Sequence, residues 1–273
     1  MVKVGAIIQV RLGSERLPNK ALLPLPFGGG PALLEHVVNR AKASKSVTNV
    51  IVATTDNILD NAIYNFCQDN KLSCFRGSED DVLDRFYQAA KNSNLDVIIR
   101  LTGDNPFIMP GIIDDTVETH LHANLDYSIT EGLPLGTNIE VISFAALEKA
   151  ASKAKEPADR EHVTPFIRRE EEFKRQNIIF DSPIRDVRLT VDYPSDYALA
   201  ALVYDRLYEQ GRLFGKSELE QLFQEHAWLL NVNMQNLQRQ AFADEAEEFK
   251  YAAQALKEGG YTRVLKKLEE VIK

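Results

Sequence analysis

The chain has 273 residues with 32 basic and 40 acidic side chains, a formal net charge of −8, which argues against a general nucleic-acid binder that must neutralise phosphates over a cationic surface. Hydrophobic residues at 44% and charged residues at 26% match a globular protein and exclude a disordered or fibrous one. The apolar runs are strand-sized, and no basic stretch leads into an apolar core at the N-terminus, so neither membrane insertion nor secretion is expected.

In chain order, strands are predicted over Val4–Val10, Val50–Ala53, Ser73–Phe75 and Val97–Leu101. Helices are predicted between them over Leu33–Ala43, Ile58–Asp69 and Asp81–Lys91. Apolar residues at 33, 34, 37, 38 and 41, and at 82, 83, 86, 89 and 90, give these helices one buried stripe each. Such a βαβ series implies a mostly parallel sheet between two helical layers, an α/β three-layer sandwich. Ligands in such sheets gather at the carboxyl ends of the strands. Arg11, Thr54-Thr55-Asp56, Gly77-Ser78 and Asp104 all fall there, along one rim. Ser78 with Asp81 reads as a capping box.

After residue 125, Asp126–Thr130 and Asn138–Ser143 read as strands, followed by a helix to about Ala154 and a charged turn over Lys153–Arg160. Strands Asn177–Phe180 and Val187–Val191 then lead to a helix from about Ser195. From about Gly215 the chain turns helical and charged, with Ser217 and Glu220 as a capping box and apolar Leu256, Val264, Leu265, Leu268 and Ile272 near the end. The expected division is an α/β domain over residues 1–215 and a helical extension over 216–273. Cys67 and Cys74 have no metal or redox spacing and read as small buried hydrophobes, which points to a reducing, cytoplasmic setting. His120 and His122, two apart on a helix, point to different faces and do not make a metal pair.

Three features could carry chemistry. The loop after the first strand holds Arg11, Ser14, Arg16 and Lys20 beside Gly13 and Pro18, and offers charge and N–H donors to phosphate oxygens at one place. It lacks the Walker spacing, so an ordinary solvated basic loop is the competing reading. Asp104 projects from the turn Leu101-Thr102-Gly103-Asp104, and a carboxylate at a strand end suits Mg²⁺, which takes one or two carboxylates plus phosphate oxygens. A turn aspartate that caps backbone N–H groups is the alternative. Asp192 sits similarly in Leu189-Thr-Val-Asp-Tyr-Pro-Ser-Asp196, while Asp196 reads as a carboxylate at the start of a helix. If both aspartates reach the rim of the Arg11–Lys20 loop, they face its cations as a site for a metal-triphosphate.

The ordered segments QVRLGSERLPNK, VATTDN, FRGSEDDVLDRFYQAA, IIRLTGDNP, NIEVISFAALEKA, REHVTPFI and LTVDYPSD resemble the cytidylyltransferase family, which includes CMP-sialic acid and CMP-KDO synthetases. The similarity spans roughly residues 3–210 and is nearest to the branch named for spore coat polysaccharide biosynthesis. It implies a Rossmann-like, GT-A-like nucleotidyltransferase fold and a Mg²⁺-dependent reaction of CTP with a sugar, giving a CMP-sugar and pyrophosphate, in a cytoplasmic homodimer. It implies that Arg11, Arg16 and Lys20 bind the triphosphate, with Arg11, Lys20 and Asp104 serving catalysis and Asp104 and Asp192 binding the metal. The nucleotide would also meet Ile8, Gln9, Val10, Ser14, Thr55, Asp56, Gly77, Ser78 and Thr102. For an acidic acceptor sugar the candidates are Asn138, Glu140, Arg160, Glu161 and His162. Three departures stand out: Val10 replaces a common alanine, Asn138 an aspartate frequent in the nearest branch, and Pro24–Gly30 a shorter turn. Two other functions stay open, a glycosyltransferase of related fold and a nucleotide-binding homologue without turnover.

Overall fold

The computed structural model describes residues 2–236 and 245–271. Contacts divide the chain into two compact units, residues 1–236 and 237–273. In the first, β1 (Val4–Gln9), α1 (Leu33–Lys42), β2 (Asn49–Thr55), α2 (Asn61–Asp69), β3 (Ser73–Gly77), α3 (Val82–Asn92), β4 (Val97–Thr102) and α4 (Pro110–His122) form the expected alternation. Then follow β5 (Tyr127–Glu131), β6 (Glu140–Ser143), α5 (Phe144–Lys153), α6 (Pro157–His162), α7 (Pro165–Arg169), β7 (Arg175–Ile179), α8 (Pro194–Leu207) and α9 (Lys216–Glu225). The second unit contains α10 (Glu245–Glu258) and α11 (Thr262–Val271). Leu256, Val264, Leu265 and Leu268 fall on these helices, and Ile272 lies outside the described residues.

Among the described residues the strands form one seven-stranded sheet, ordered β3-β2-β1-β4-β6-β5-β7. Strand β6 alone runs against its neighbours; the other pairings are parallel. Side chains of a strand alternate between faces, and two cores result. Val4, Ala6, Ile8, Val97, Ile99 and Leu101 face a core closed by α1, α2, α4, α8 and α9. Ile7, Ile51, Ile98, Ile142 and Tyr127 face a second core closed by α3, α5 and α7. This is the expected three-layer sandwich. The carboxyl ends of the parallel strands and the start of β6 share one rim, so Thr102 and Glu140 approach it from opposite chain directions.

Several details differ from the sequence reading. Val187–Val191 is not a strand: it makes one isolated bridge, between Leu135 and Arg188, and bends at Thr190 before Val191 N–H donates to the Asp104 carbonyl at 2.9 Å. The charged turn over Lys153–Arg160 contains α6, started by Pro157 at its first turn. Helix α3 is capped by Asp81 itself, which accepts the Asp84 N–H at 2.8 Å, while Ser78 Oγ accepts the Asp81 N–H at 3.1 Å. Helix α9 begins at Lys216, where the Glu218 carboxylate accepts the Gly215 N–H at 2.9 Å, so the capping residue is not Ser217 and its partner is not Glu220. The boundary expected at 215 also moves. Leu219, Leu222, Phe223 and Leu229 bury against the first core, which carries that unit on to residue 236.

Gly136 lets the 133–137 loop lie against the segment before Asp192. Its φ is 94°, and a Cβ there would stand 2.6 Å from the Thr190 nitrogen. Gly136→Ala should cost about 1–3 kcal/mol from the left-handed backbone alone, with the clash added. In urea unfolding this appears as a lower midpoint with an unchanged slope.

Candidate active site

The loop after β1 is tied down before it reaches its charged end. Leu12 N–H donates to the Asp60 Oδ1 at 2.8 Å, and the Thr55 hydroxyl donates to the other oxygen of that buried carboxylate. Asn19 takes a left-handed conformation, φ 57°, which asparagine tolerates. It turns the chain into a short 3₁₀ segment, Lys20–Leu22, whose buried Ala21 fixes the Lys20 backbone while its ammonium reaches back to the rim.

There the two distant aspartates meet. Lys20 Nζ donates to Asp104 Oδ2 at 2.8 Å and to Asp192 Oδ1 at 2.7 Å. Asp104 is oriented by the Thr102 hydroxyl, which donates to its Oδ1 at 2.6 Å. A Cβ on Gly103 would fall 2.8 Å from Val10, so the turn needs glycine. Asp192 is held from the other side by Arg188 Nη2 at 2.6 Å. Arg188 Nε in turn donates to Asp196 at 3.2 Å, and Asp196 Oδ2 accepts the Asp192 and Tyr193 N–H groups at 3.0 Å. Asn233 and Asn236 donate to the same carboxylate at 2.8 and 2.7 Å. Asp196 is thus the helix-start carboxylate the sequence suggested, and the hub that fixes Asp192. Arg16 lies 3.8 Å from Asp192, donates to the Tyr193 hydroxyl at 3.1 Å and stacks over its ring at 4.5 Å.

Burial alone would lower the Lys20 pKa, but Asp104 and Asp192 outweigh it and raise it. Burial alone would likewise raise the Asp192 pKa, and Lys20, Arg188 and Arg16 together hold it below the usual carboxylate range. Both groups are therefore charged at neutral pH. The oxygens of Asp104 and Asp192 converge on the Lys20 ammonium, and two carboxylates on one cation are the kind of donors a hard divalent ion uses when phosphate oxygens and water complete its shell. No cluster of three or more acidic, histidine or cysteine side chains forms a protein-only metal cage among the described residues.

The other expected positions separate into groups. Arg11 parts from Arg16 and Lys20: its Nη1 donates to Glu79 Oε1 at 3.3 Å, across the β2 and β3 ends. Ile8 and Val10 are buried, so they offer only backbone groups. Gln9 Oε1 is buried without a partner. Ser14 Oγ accepts the Leu17 N–H at 3.4 Å, and Asp56 N–H donates to the Gly77 carbonyl at 2.9 Å, which joins two rim loops with Ser78 next in line. On the acceptor side, Arg160 is bound to Asp81 through Nε at 2.9 Å and a second contact, and to the Ala151 carbonyl at 2.8 Å. It locks α6 to α3 and leaves its guanidinium committed. Glu161 and His162 are exposed. Thr130 donates to Asn138 at 3.3 Å. Glu140 is enclosed by Arg100, Tyr127 and Thr164. The sequence reading missed Asp60, Glu79, Arg100, Arg188 and Tyr193. All but Asp60 lie within the motif segments or beside them, yet their partners are set by sheet register and loop contacts that no spacing reveals.

An α/β sheet of this order with a rim site is a nucleotidyltransferase fold, and the structure of a cytidylyltransferase from Leptospira borgpetersenii matches it with a TM-score of 0.76 at 31% identity, over 88% of this chain and all of that one. The sequence matches the cytidylyltransferase family over residues 5–235, and the chain belongs to that family. It is thereby a nucleotidyltransferase. Among its relatives is the spore coat polysaccharide biosynthesis protein SpsF of Bacillus subtilis, 36% identical over 75% of this chain and 87% of SpsF. Another is an 8-amino-3,8-dideoxy-manno-octulosonate cytidylyltransferase of Shewanella baltica, 29% identical over 81% of this chain and 85% of its own. No helix among the described residues is long and apolar enough to cross a membrane.

The ion cluster has a defined pH signature in metal-free buffer. Because the Asp192 pKa is depressed on folding, its contribution is complete above the unfolded value of about 3.9 and is lost as pH falls through the folded value. Lys20, with a raised pKa, contributes below its unfolded value and loses that only at the alkaline end. Urea unfolding between about pH 3 and pH 7 should show a shallower acid decline for Lys20→Met than for the natural chain.

Proposed function

We propose that this cytidylyltransferase is Mg²⁺-dependent and joins CTP to an acidic sugar, giving a CMP-sugar and pyrophosphate for surface polysaccharide or glycan synthesis. The single observation that carries the reading is the shared coordination of Lys20 by Asp104 and Asp192 at the sheet rim. The sugar's hydroxyl oxygen forms a bond to the α-phosphorus as the bond to the pyrophosphate oxygen breaks and the hydroxyl proton is released. Such a transfer gains most from placing the reactants in line and neutralising the charge that develops. A bound Mg²⁺ would supply that neutralisation across the phosphate oxygens.

The chain's own residues do the rest. Asp104 and Asp192 offer the metal one carboxylate each, held in place by Thr102 and Arg188. Lys20 exchanges its carboxylate partners for phosphate oxygens, and Arg16 and Arg11, both on the exposed part of the loop, close on the triphosphate from either side. The base is placed by the rim loops at Gln9, Val10, Thr55, Asp56, Gly77 and Ser78. Support for an acidic acceptor comes from the Shewanella baltica relative, whose named substrate is an octulosonate. Family membership favours this reading over a glycosyltransferase, because the name describes transfer from a nucleoside triphosphate.

Pyrophosphate release with each of the four nucleoside triphosphates, Mg²⁺ and a panel of acidic and neutral sugars tests it. CTP with a sugar acid should be the productive pair. Asp104→Ala and Asp192→Ala should each lower turnover by about 10²-fold or more, the scale of a lost charge-stabilising group, with melting temperature little changed for Asp104→Ala. A near-normal rate in either variant would remove that residue from the site.

A further inference from the structure

Below the rim, on the face of the second core, a polar group interrupts an otherwise apolar sheet. Arg100 and Glu140 stand directly opposite each other on β4 and β6. Glu140 receives three donors: Arg100 Nη1 at 2.6 Å, the Tyr127 hydroxyl, and the Thr164 hydroxyl at 2.8 Å. Burial by itself would raise the Glu140 pKa, and Arg100 leads the groups that lower it instead. Tyr127, pushed up first by burial, stays a neutral donor.

The pairing is one-sided, and that is informative. An arginine and a carboxylate that serve only to brace each other can form two parallel hydrogen bonds. Here Oε1 of Glu140 is taken by Tyr127 and Thr164, and Oε2 meets only Nη1. The opposite edge of the guanidinium, formed by Nε and Nη2, is left over. Nε is buried without a partner. One strand away, Gln9 Oε1 is also buried and unpartnered, and Gln9 pairs in register with Thr102. Thr102 holds Asp104 and shares its strand face with Arg100.

A third observation comes from the turn that delivers Thr164. Val163, fully buried, takes φ 71° and ψ −51°, a conformation that β-branched residues avoid. Backbone strain of this kind persists where surrounding structure enforces it, typically at ligand sites. Here it sets a hydroxyl on Glu140 and so completes the clamp that aims Arg100.

We propose that the Nε–Nη2 edge of Arg100 binds the carboxylate of the acceptor sugar, with Glu140, Tyr127 and Thr164 as its positioning residues; this rests on the CMP-sugar reading above. The chemistry of the acceptor class fits the spacing. In a 2-ulosonic acid the carboxylate is attached to the anomeric carbon that bears the reacting hydroxyl. With that hydroxyl at the α-phosphorus near Asp104, the carboxylate lies a few ångströms away. Two residues along a strand span about 6.6 Å, which is the step from Thr102 back to Arg100. Arg160, the earlier candidate for this task, is spent on Asp81.

The test uses the full-length protein with CTP, Mg²⁺, eight- and nine-carbon 2-ulosonic acids including 8-amino-3,8-dideoxy-manno-octulosonate, and the carboxamide of each. The natural chain should prefer acid over amide by about 10²-fold or more in kcat/KM, as expected where a site is built around a polar group. In Arg100→Met the preference should collapse towards one, because the acid loses far more kcat/KM than the amide. CTP binding, measured by calorimetry without sugar, should be retained in the variant. A preserved acid preference overturns the inference and leaves the proposed function standing. Failure of the natural chain to use any of the acids overturns both. If Arg100→Met loses CTP binding, the ratio is read in Arg100→Lys: a fall supports the inference and an unchanged ratio overturns it.

Discussion

One ammonium group holds this site together. Lys20 is 84 positions from Asp104 and 172 from Asp192, yet it bonds to both. Two carboxylates brought this close without a cation would repel each other, and the loop after β1 would lose its side-chain tie to Asp104 and one of its ties to the segment before α8. A half-buried ion pair is expensive to break from one side, since the remaining charge keeps its desolvation cost without its partner. The arrangement therefore defines position before it contributes to stability. Arg188, Asp196, Asn233 and Asn236 extend it backwards, so the segment just after α9 fixes a carboxylate that the sequence places 40 residues earlier.

The sheet separates two tasks by face and by height. Above the rim, Arg11 and Arg16 are exposed on the loop after β1, with Lys20 held beside them by its two carboxylates. Beneath them, Arg100, Glu140, Tyr127 and Thr164 are locked by neighbours on four chain segments. Exposed charge suits a triphosphate that must enter and a pyrophosphate that must leave. Rigid charge suits discrimination between acceptors, because a polar group that cannot relax penalises a ligand that fails to match it.

The alternating fold could be read directly from the chain, as could the rim, because hydrophobic period and strand-end polar residues are local signals. So could the meeting of Asp104 and Asp192, since each follows an apolar run and precedes a turn. Val187–Val191 shows the limit of the same reasoning: its apolar alternation is real, but the neighbouring chain offers it one bridging residue and not a strand edge. Arg160 shows another. Its place in a charged motif suggested a ligand contact, and its actual partner, Asp81, is 79 positions away. Arg100 was passed over for the opposite reason. A charged residue inside a strand looks like solvent-facing alternation until register places Glu140 across from it.

Strand β6 is the one element that runs backwards, and its direction has a consequence for how such enzymes diversify. A parallel strand presents its final residue to the rim, tied to the helix that follows. An antiparallel strand presents its first residue, so the 132–139 connection from β5 ends at Asn138 and Glu140 on the rim. Changes in that connection alter the neighbourhood of Asn138 and Glu140 while β1 to β4 keep their pairing. Because the same connection also lies against the segment before Asp192, a change in it is felt on the Glu140 side and on the Asp192 side of the rim together.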